Sequence, residues 1–203
     1  MSITPGTRSG VARARGFAAG PGSLLSKVMR KAGEYRSRRW RNVRQSMRQR
    51  SIEALLVTHL PDVRWLSGFT GSNAALAVTA GKAALFTDGR YTAQAREETS
   101  GAQVRIASKS ALRQACAWLA KQAGHAWVDP DHTSIAALDL MRSALPAKQR
   151  RGFFAAMKAP LVSELRMVKD AGELRQMESA AAWGGSLFEA ILPLMEAGVS
   201  ELA

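Results

Sequence analysis

Two short stretches of the 203-residue chain hold residue types able to bind anions, move protons or ligate a metal. The first is Thr87-Asp88-Gly89-Arg90-Tyr91, which reads as a strand end, a tight glycine turn and a helix start. The Asp88 carboxylate can cap the helix, and Gly89 tolerates an unusual backbone angle. Arg90 and Tyr91 then project from the first turn. A guanidinium holds carboxylates in a two-pronged geometry, so Arg90 suits an acidic group arriving at a domain or subunit interface near a substrate. It suits equally a structural corner in which it pairs within its own chain, and that is the simpler expectation. The second stretch holds His125, Asp129, Asp131 and His132. Carboxylates and imidazoles at short spacing can share a cation. These four straddle a predicted strand, however, and Asp129-Pro130-Asp131-His132-Thr133-Ser134 has turn and helix-cap chemistry, so no metal site is assigned.

Other reactive types stand apart. His59 follows a predicted strand with no recognisable nucleophile or acid partner in sequence, and no histidine lies beyond His132. Glu164, Glu173, Glu178, Glu189, Glu196 and Glu201 are therefore without an imidazole to complete a metal centre, and no catalytic residue is assigned. Trp65-Leu66-Ser67-Gly68-Phe69-Thr70-Gly71-Ser72 is glycine-bearing, but no Lys-Ser or Lys-Thr follows Gly71 and the spacing does not match a dinucleotide fingerprint. Cys116, the single cysteine, falls within an apolar stripe of Ala111, Leu112, Ala115, Leu119 and Ala120, where a small buried core residue is expected. One cysteine excludes an intramolecular disulfide and fits a reducing compartment.

The net charge of +13 first suggests a nucleic-acid binder, but its distribution argues against a uniformly basic domain. Residues 1–50 carry thirteen Lys/Arg and one acid, Glu34, a net of +12, whereas the remainder carries sixteen basic and fifteen acidic residues, a net of +1. No specific nucleic-acid recognition is expected. Residues 1–34 are rich in Gly, Ser, Ala and Arg with few apolar residues, and are expected to be a basic, disordered leader. That composition also resembles an organellar transit peptide. No apolar run reaches the roughly twenty residues that span a bilayer, and a cytoplasmic location is expected.

The elements that must position these residues follow from periodicity. Trp40, Val43 and Met47 recur at helical spacing among arginines over 36–50, predicting a surface helix with one stripe on the core. Compact apolar runs at 54–58, 74–79, 83–87, 104–107, 126–129 and 152–156 predict buried strands. Helical patterns at 61–67, 90–99, 111–122 and 133–144 fall between several of them, which implies an α/β layer structure. Pro160 marks a boundary, followed by a helix at 161–168 and another from Asp170, whose Glu173 lies at capping-box spacing. Leu174, Met177, Ala181, Phe188, Ile191 and Leu192 give that last helix an apolar face.

The stretch Leu55–Arg96, LLVTHLPDVRWLSGFTGSNAALAVTAGKAALFTDGRYTAQAR, resembles the start of the creatinase/prolidase N-terminal domain of Xaa-Pro aminopeptidases and dipeptidases. SELRMVKDAGELRQMESAA looks like that family's linker and first catalytic-domain helix. The resemblance implies a mixed sheet of RNase-H-like topology over 35–159, with 160–203 as linker and first helix of a "pita-bread" catalytic domain. In the family that domain cleaves the bond preceding proline with two divalent cations, manganese or cobalt, held by two Asp, one His and two Glu. None of those ligands can be placed here, so the chain is expected to bind no metal, to be inactive alone, and to serve as the non-catalytic portion of such a peptidase. The resemblance further implies a homodimer or association with a catalytic domain, peptide substrate only in the intact enzyme, and Trp65 and Phe69 as candidate pocket walls beside Asp88, Arg90 and Tyr91. Rival expectations are a fragment of a creatinase-like non-peptidase hydrolase, a stand-alone interaction module, and polyanion binding through the leader.

Overall fold

The computed structural model describes residues 24–195 and residue 198, and the expected leader over 1–23 lies outside the described residues. Helix α1 (Leu24–Gln49) precedes β1 (Ala54–Val57), α2 (Leu60–Ser67), β2 (Ala74–Thr79) and β3 (Ala83–Asp88). A 3-10 turn (Gly89–Tyr91) leads into α3 (Thr92–Glu98), then β4 (Gln103–Ala107), α4 (Ala111–Leu119), β5 (Ala126–Val128), α5 (Ile135–Ser143) and β6 (Phe154–Ala156). Helices α6 (Leu161–Met167) and α7 (Ala171–Ile191) follow Pro160. Helix α1 starts at Leu24, so residues 24–34, read from sequence as the end of a disordered leader, are helical. Once its C-terminal half is fixed on the core, each added residue gains a hydrogen bond without a new nucleation cost.

The strands form one mixed sheet in the order β4-β3-β2-β1-β5-β6. β1, β2 and β3 pair antiparallel, while β3/β4, β1/β5 and β5/β6 are parallel. Because side chains alternate along a strand, each central strand feeds two cores. Leu55, Val57, Leu76, Val78 and Leu85 face a layer built from Trp40, Val43 and Met47 of α1, Val63, Trp65 and Leu66 of α2, and Leu161 and Val162 of α6. Leu56, Ala75, Ala77, Ala84 and Phe86 face the other layer, with Ala115, Cys116 and Leu119 of α4 and Met141 of α5. Both faces of the central strands β1, β2 and β3 are covered, which is why they read as continuous apolar runs and not as alternating ones. No described helix is long and apolar enough to cross a membrane.

Burial drives the Cys116 thiol up to about 12, so almost no thiolate exists in the native state at neutral pH. A maleimide at pH 7.5 should therefore modify native Cys116 only as fast as the chain opens, and fully in denaturant; rapid native labelling would contradict its place against β2 and β3. Leu76→Ala, which empties a fully buried site between sheet and helix layer, should lower the unfolding free energy by about 2–5 kcal/mol in urea titration.

Candidate functional site

Asp88 ends β3 and caps the following 3-10 turn. Its Oδ1 accepts from the Arg90 backbone N–H at 3.0 Å and from Arg90 Nε at 3.0 Å, and its Oδ2 accepts from Arg90 Nη2 at 2.9 Å. Asn73 Nδ2, at the start of the facing strand, donates to the same Oδ2 at 2.7 Å. These bonds, the Arg90 side chain first and Asn73 second, hold the Asp88 carboxyl well below the usual carboxylate range. The two-pronged Arg90–Asp88 pair is the internal corner expected from the sequence. It uses two of the five guanidinium N–H donors, and the side chain remains 72% exposed. The corner is thus closed on its inner edge and keeps three donors toward solvent.

The loop after α2 is stitched to the same corner. Ser72 Oγ and the Tyr91 hydroxyl lie 2.7 Å apart, a bond that lowers the phenol below its ordinary value. Thr70 donates its N–H to Glu98 Oε2 at 2.7 Å and its hydroxyl to Glu98 Oε1 at 2.8 Å, while Gln94 Nε2 donates to Thr70 Oγ1 at 2.8 Å and Glu98 Oε1 at 3.1 Å. Burial opposes ionisation of Glu98, but these donors outweigh it and its carboxyl is lowered. Gly68, read from sequence as part of a weak phosphate-loop pattern, is instead the left-handed C-cap of α2 at φ 87°. A side chain there would overlap the Arg36 guanidinium.

Trp65 and Phe69 point inward. Phe69 is 1% exposed and meets the Tyr91 ring edge-on at a centroid distance of 5.7 Å. Trp65 packs in the α1–α2 layer and donates its Nε1–H to Glu173 Oε1 at 2.9 Å. In this chain Phe69 supports the corner from beneath while Trp65 is tied to Arg39 and Glu173 at the start of α7; Asp88, Arg90 and Tyr91 form the outward part.

One grouping escaped the sequence reading. His59 stacks on His132, ring centroids 3.6 Å apart and planes 23° from parallel, at the carboxyl ends of the parallel strands β1 and β5. His132 Nδ1 lies 3.1 Å from Asp129 Oδ2. His59 Nδ1 is at ion-pair distance, 3.3 Å, from Asp62 Oδ2, yet its geometry makes no hydrogen bond. Asp62, 1% exposed, is instead satisfied by Arg166 Nη1 at 2.6 Å and Ser163 Oγ at 3.2 Å, both from α6. Neither histidine signals this in sequence, because the pairing of β1 with β5 is not local. The adjoining cavity is about 10 Å³, room for a single water.

These residues do not fit a pair of divalent cations. A metal needs lone pairs converging on one point about 2 Å from each donor, whereas stacked imidazoles direct their in-plane lone pairs side by side. Glu164 is paired with Arg50, and Asp170 and Glu173 are committed to Arg39 and to the cap of α7. Among the described residues, no group of three or more His, Cys, Asp or Glu is arranged to hold a metal ion.

The remaining functional feature is α7. Asp170 Oδ1 accepts from the N–H groups of Gly172 and Glu173 at 2.9 and 3.0 Å, and Glu173 Oε2 accepts from Asp170 N–H at 3.1 Å, the reciprocal cap expected from the sequence. Arg39 of α1 donates to Asp170 Oδ2 through Nε and Nη2 at 3.0 and 2.6 Å. Beyond this fixed first turn no residue of α7 is buried; Leu174, Met177, Trp183, Leu187, Phe188 and Ile191 are all exposed.

Comparison with known proteins places this arrangement. The family description "Creatinase/Prolidase N-terminal domain" matches residues 39–168. The curated protein "Uncharacterized peptidase YqhT" of Bacillus subtilis is 29% identical over 162 residues, 76% of this chain and 43% of its own length. The crystal structure of the N-terminal domain of the cytoplasmic peptidase PepQ from Mycobacterium tuberculosis H37Rv superposes with a TM-score of 0.57 at 28% identity, covering 63% of this chain and 97% of that one. A Xaa-Pro dipeptidase from Bacillus anthracis shares the fold with a TM-score of 0.72 at 22% identity, over 82% of this chain and 46% of that one. The chain thus spans less than half the length of the curated relative it matches.

The Asp88 corner makes a pH prediction whose sign is fixed. A carboxyl lowered in the folded state stabilises above its unfolded value, near 3.9, and that contribution is lost as pH falls toward the folded one. The stability difference between wild type and Asp88→Asn should be constant from pH 7 to 5 and shrink below about pH 4. A difference that stays flat through pH 3 would mean that the ionised carboxylate is not its source.

Proposed function

We propose that this chain, which belongs to the creatinase/prolidase N-terminal domain family, is the non-catalytic portion of a Xaa-Pro aminopeptidase or dipeptidase. In this reading residues 35–159 are the N-terminal domain, 160–203 join it to a metal-dependent catalytic half, and the whole enzyme hydrolyses the bond preceding proline in a cytoplasmic setting. The observation that carries it is α7, clamped at its first turn by Arg39 and exposed along its apolar face. Burying a large apolar side chain contributes about 1.5–3 kcal/mol, so a face of this size is stable in water only when covered. A catalytic half, beginning where α7 leaves the sheet domain, would cover it.

The Asp88–Tyr91 corner takes the second role. Its three outward Arg90 donors and the Tyr91 hydroxyl suit the contact of one subunit with another, so the corner would help dimerise the enzyme and shape access for peptide. Phe69 would act from beneath, fixing the loop on which Thr70 and Ser72 sit, and Trp65 would act at one remove, holding α2 against the start of α7.

Two measurements test this. The purified chain should show no turnover of an Xaa-Pro dipeptide or Xaa-Pro-Xaa tripeptide with added manganese or cobalt, because the residues present form no cradle for those ions. Metal-dependent turnover abolished by a substitution within residues 24–195 would overturn the non-catalytic assignment. The chain should also self-associate or bind an apolar dye, and Leu187→Ser/Phe188→Ser/Ile191→Ser should reduce both while leaving the sheet domain's melting unchanged. A strictly monomeric, dye-silent wild type whose α7 amides exchange as slowly as those of β2 would mean that nothing else is needed to cover the helix.

A further inference from the structure

We propose that the solvent face of α1 is a docking strip for the phosphate backbone of duplex nucleic acid. The helix carries nine basic residues and one acid, Glu34, and the fold divides them. The inward set is used by the protein itself. Arg36 donates to the Glu98 carbonyl at 3.2 Å, Arg39 holds Asp170, and Arg44 lies over the Trp40 ring. The outward set is Lys31, Arg38, Arg41 and Arg48, all exposed. Of these, Arg38 lies over the Tyr35 ring at the edge of this face, and the set as a whole has no carboxylate partner among the described residues.

At 3.6 residues per turn these four fall within an arc of about 100°, opposite the buried Trp40, Val43 and Met47. With a rise of 1.5 Å per residue they mark a line about 26 Å long. Glu34 shares the arc and leaves it a net of +3. The chain beyond residue 50 is nearly neutral, so the excess positive charge lies within residues 1–50, and this face holds +3 of it.

The chemistry of the strip selects its partner. A helix that lies in a membrane surface needs an apolar side to insert, and the apolar side of α1 is already buried against the sheet. Capture of single strands relies on exposed aromatic platforms for the bases. The one aromatic near the strip, Tyr35, is half-buried with Arg38 and Arg175 over its ring. A protein partner would find no apolar anchor at the centre of the strip. What remains is a linear array of cations, mostly guanidinium, which pairs with phosphates in two-pronged fashion. Such contacts fix position without reading sequence.

The test uses the full chain and a labelled mixed-sequence DNA duplex of twenty base pairs, titrated by fluorescence anisotropy between 50 and 200 mM salt. Neutralising about three phosphates gives a log–log slope of about −2.7, an affinity loss of about 40-fold over that range. Lys31→Gln/Arg38→Gln/Arg41→Gln/Arg48→Gln should weaken binding at least about tenfold at 50 mM salt and flatten the slope by about 2.7, with thermal melting unchanged. Arg8→Gln/Arg13→Gln/Arg15→Gln, which neutralises the preceding segment, should retain most of the slope. The proposal is overturned if the helix-face variant keeps the wild-type slope, if the Arg8/Arg13/Arg15 variant alone abolishes binding, or if anionic phospholipid vesicles bind more tightly than duplex at the same salt.

Discussion

The Arg39 guanidinium is the contact on which the arrangement of α1, α2 and α7 depends. It reaches Asp170 with two donors, lies 3.3 Å from Glu173, donates Nη1–H to the Trp65 carbonyl at 2.9 Å and sits 4.9 Å above the Trp65 ring. Glu173 closes the circuit by accepting from the Trp65 indole. Burial opposes ionisation of Asp170, yet the Glu173 amide and the Arg39 pair outweigh it and lower its carboxyl. Removing one member of a largely buried ion pair costs about 3–5 kcal/mol because its partner is left uncompensated. The cap of α7 and its attachment to the domain are therefore one interaction: Asp170 cannot serve the helix amides well without the cation that offsets its desolvation.

That coupling separates direction from cover. The polar circuit, together with Asp62 gripping Arg166 and Ser163 of α6, fixes where α7 leaves the domain. It does not cover the eighteen residues of α7 that follow Glu173. Their large apolar side chains stay in solvent, whereas the equivalent stripe of α1 is fully absorbed by the sheet. A helix held only at one end, with its apolar face outward, serves as a rigid presenting arm. The Asp88–Tyr91 corner differs in kind, since its polar bonds close locally and leave donors, not hydrocarbon, toward solvent.

What could be read from sequence was local. The Trp40, Val43 and Met47 stripe, the central strands, the Asp170–Glu173 cap and the internal Arg90–Asp88 pair all involve residues within one turn or one element of each other. The misses are long-range. Arg39 and Asp170 are 131 positions apart, and nothing in the spacing of either identifies the other. His59 looked isolated because its neighbour, His132, arrives through the parallel pairing of β1 with β5, a direction that apolar periodicity does not encode. Phe69, a candidate pocket wall, is buried in the core, with the Tyr91 ring edge-on against it from the next strand-to-helix corner. The helical start at Leu24 was missed because composition averages over a window, whereas helix extension depends on what the far end is bound to.

Charge illustrates the same limit from the other side. The total of +13 cannot say which cations are available to a partner, since helix period sorts them residue by residue. On one side of α1 Arg36 donates to a backbone carbonyl and Arg39 is paired with two carboxylates of this chain, while Arg38 and Arg41, one and two positions from Arg39, are exposed. An arginine drawn inward contributes geometry and an arginine turned outward contributes field. A shift of one residue in the docking of α1 would exchange those roles, detaching α7 and erasing the exposed strip together, so Trp40, Val43 and Met47 fix the register on which both depend.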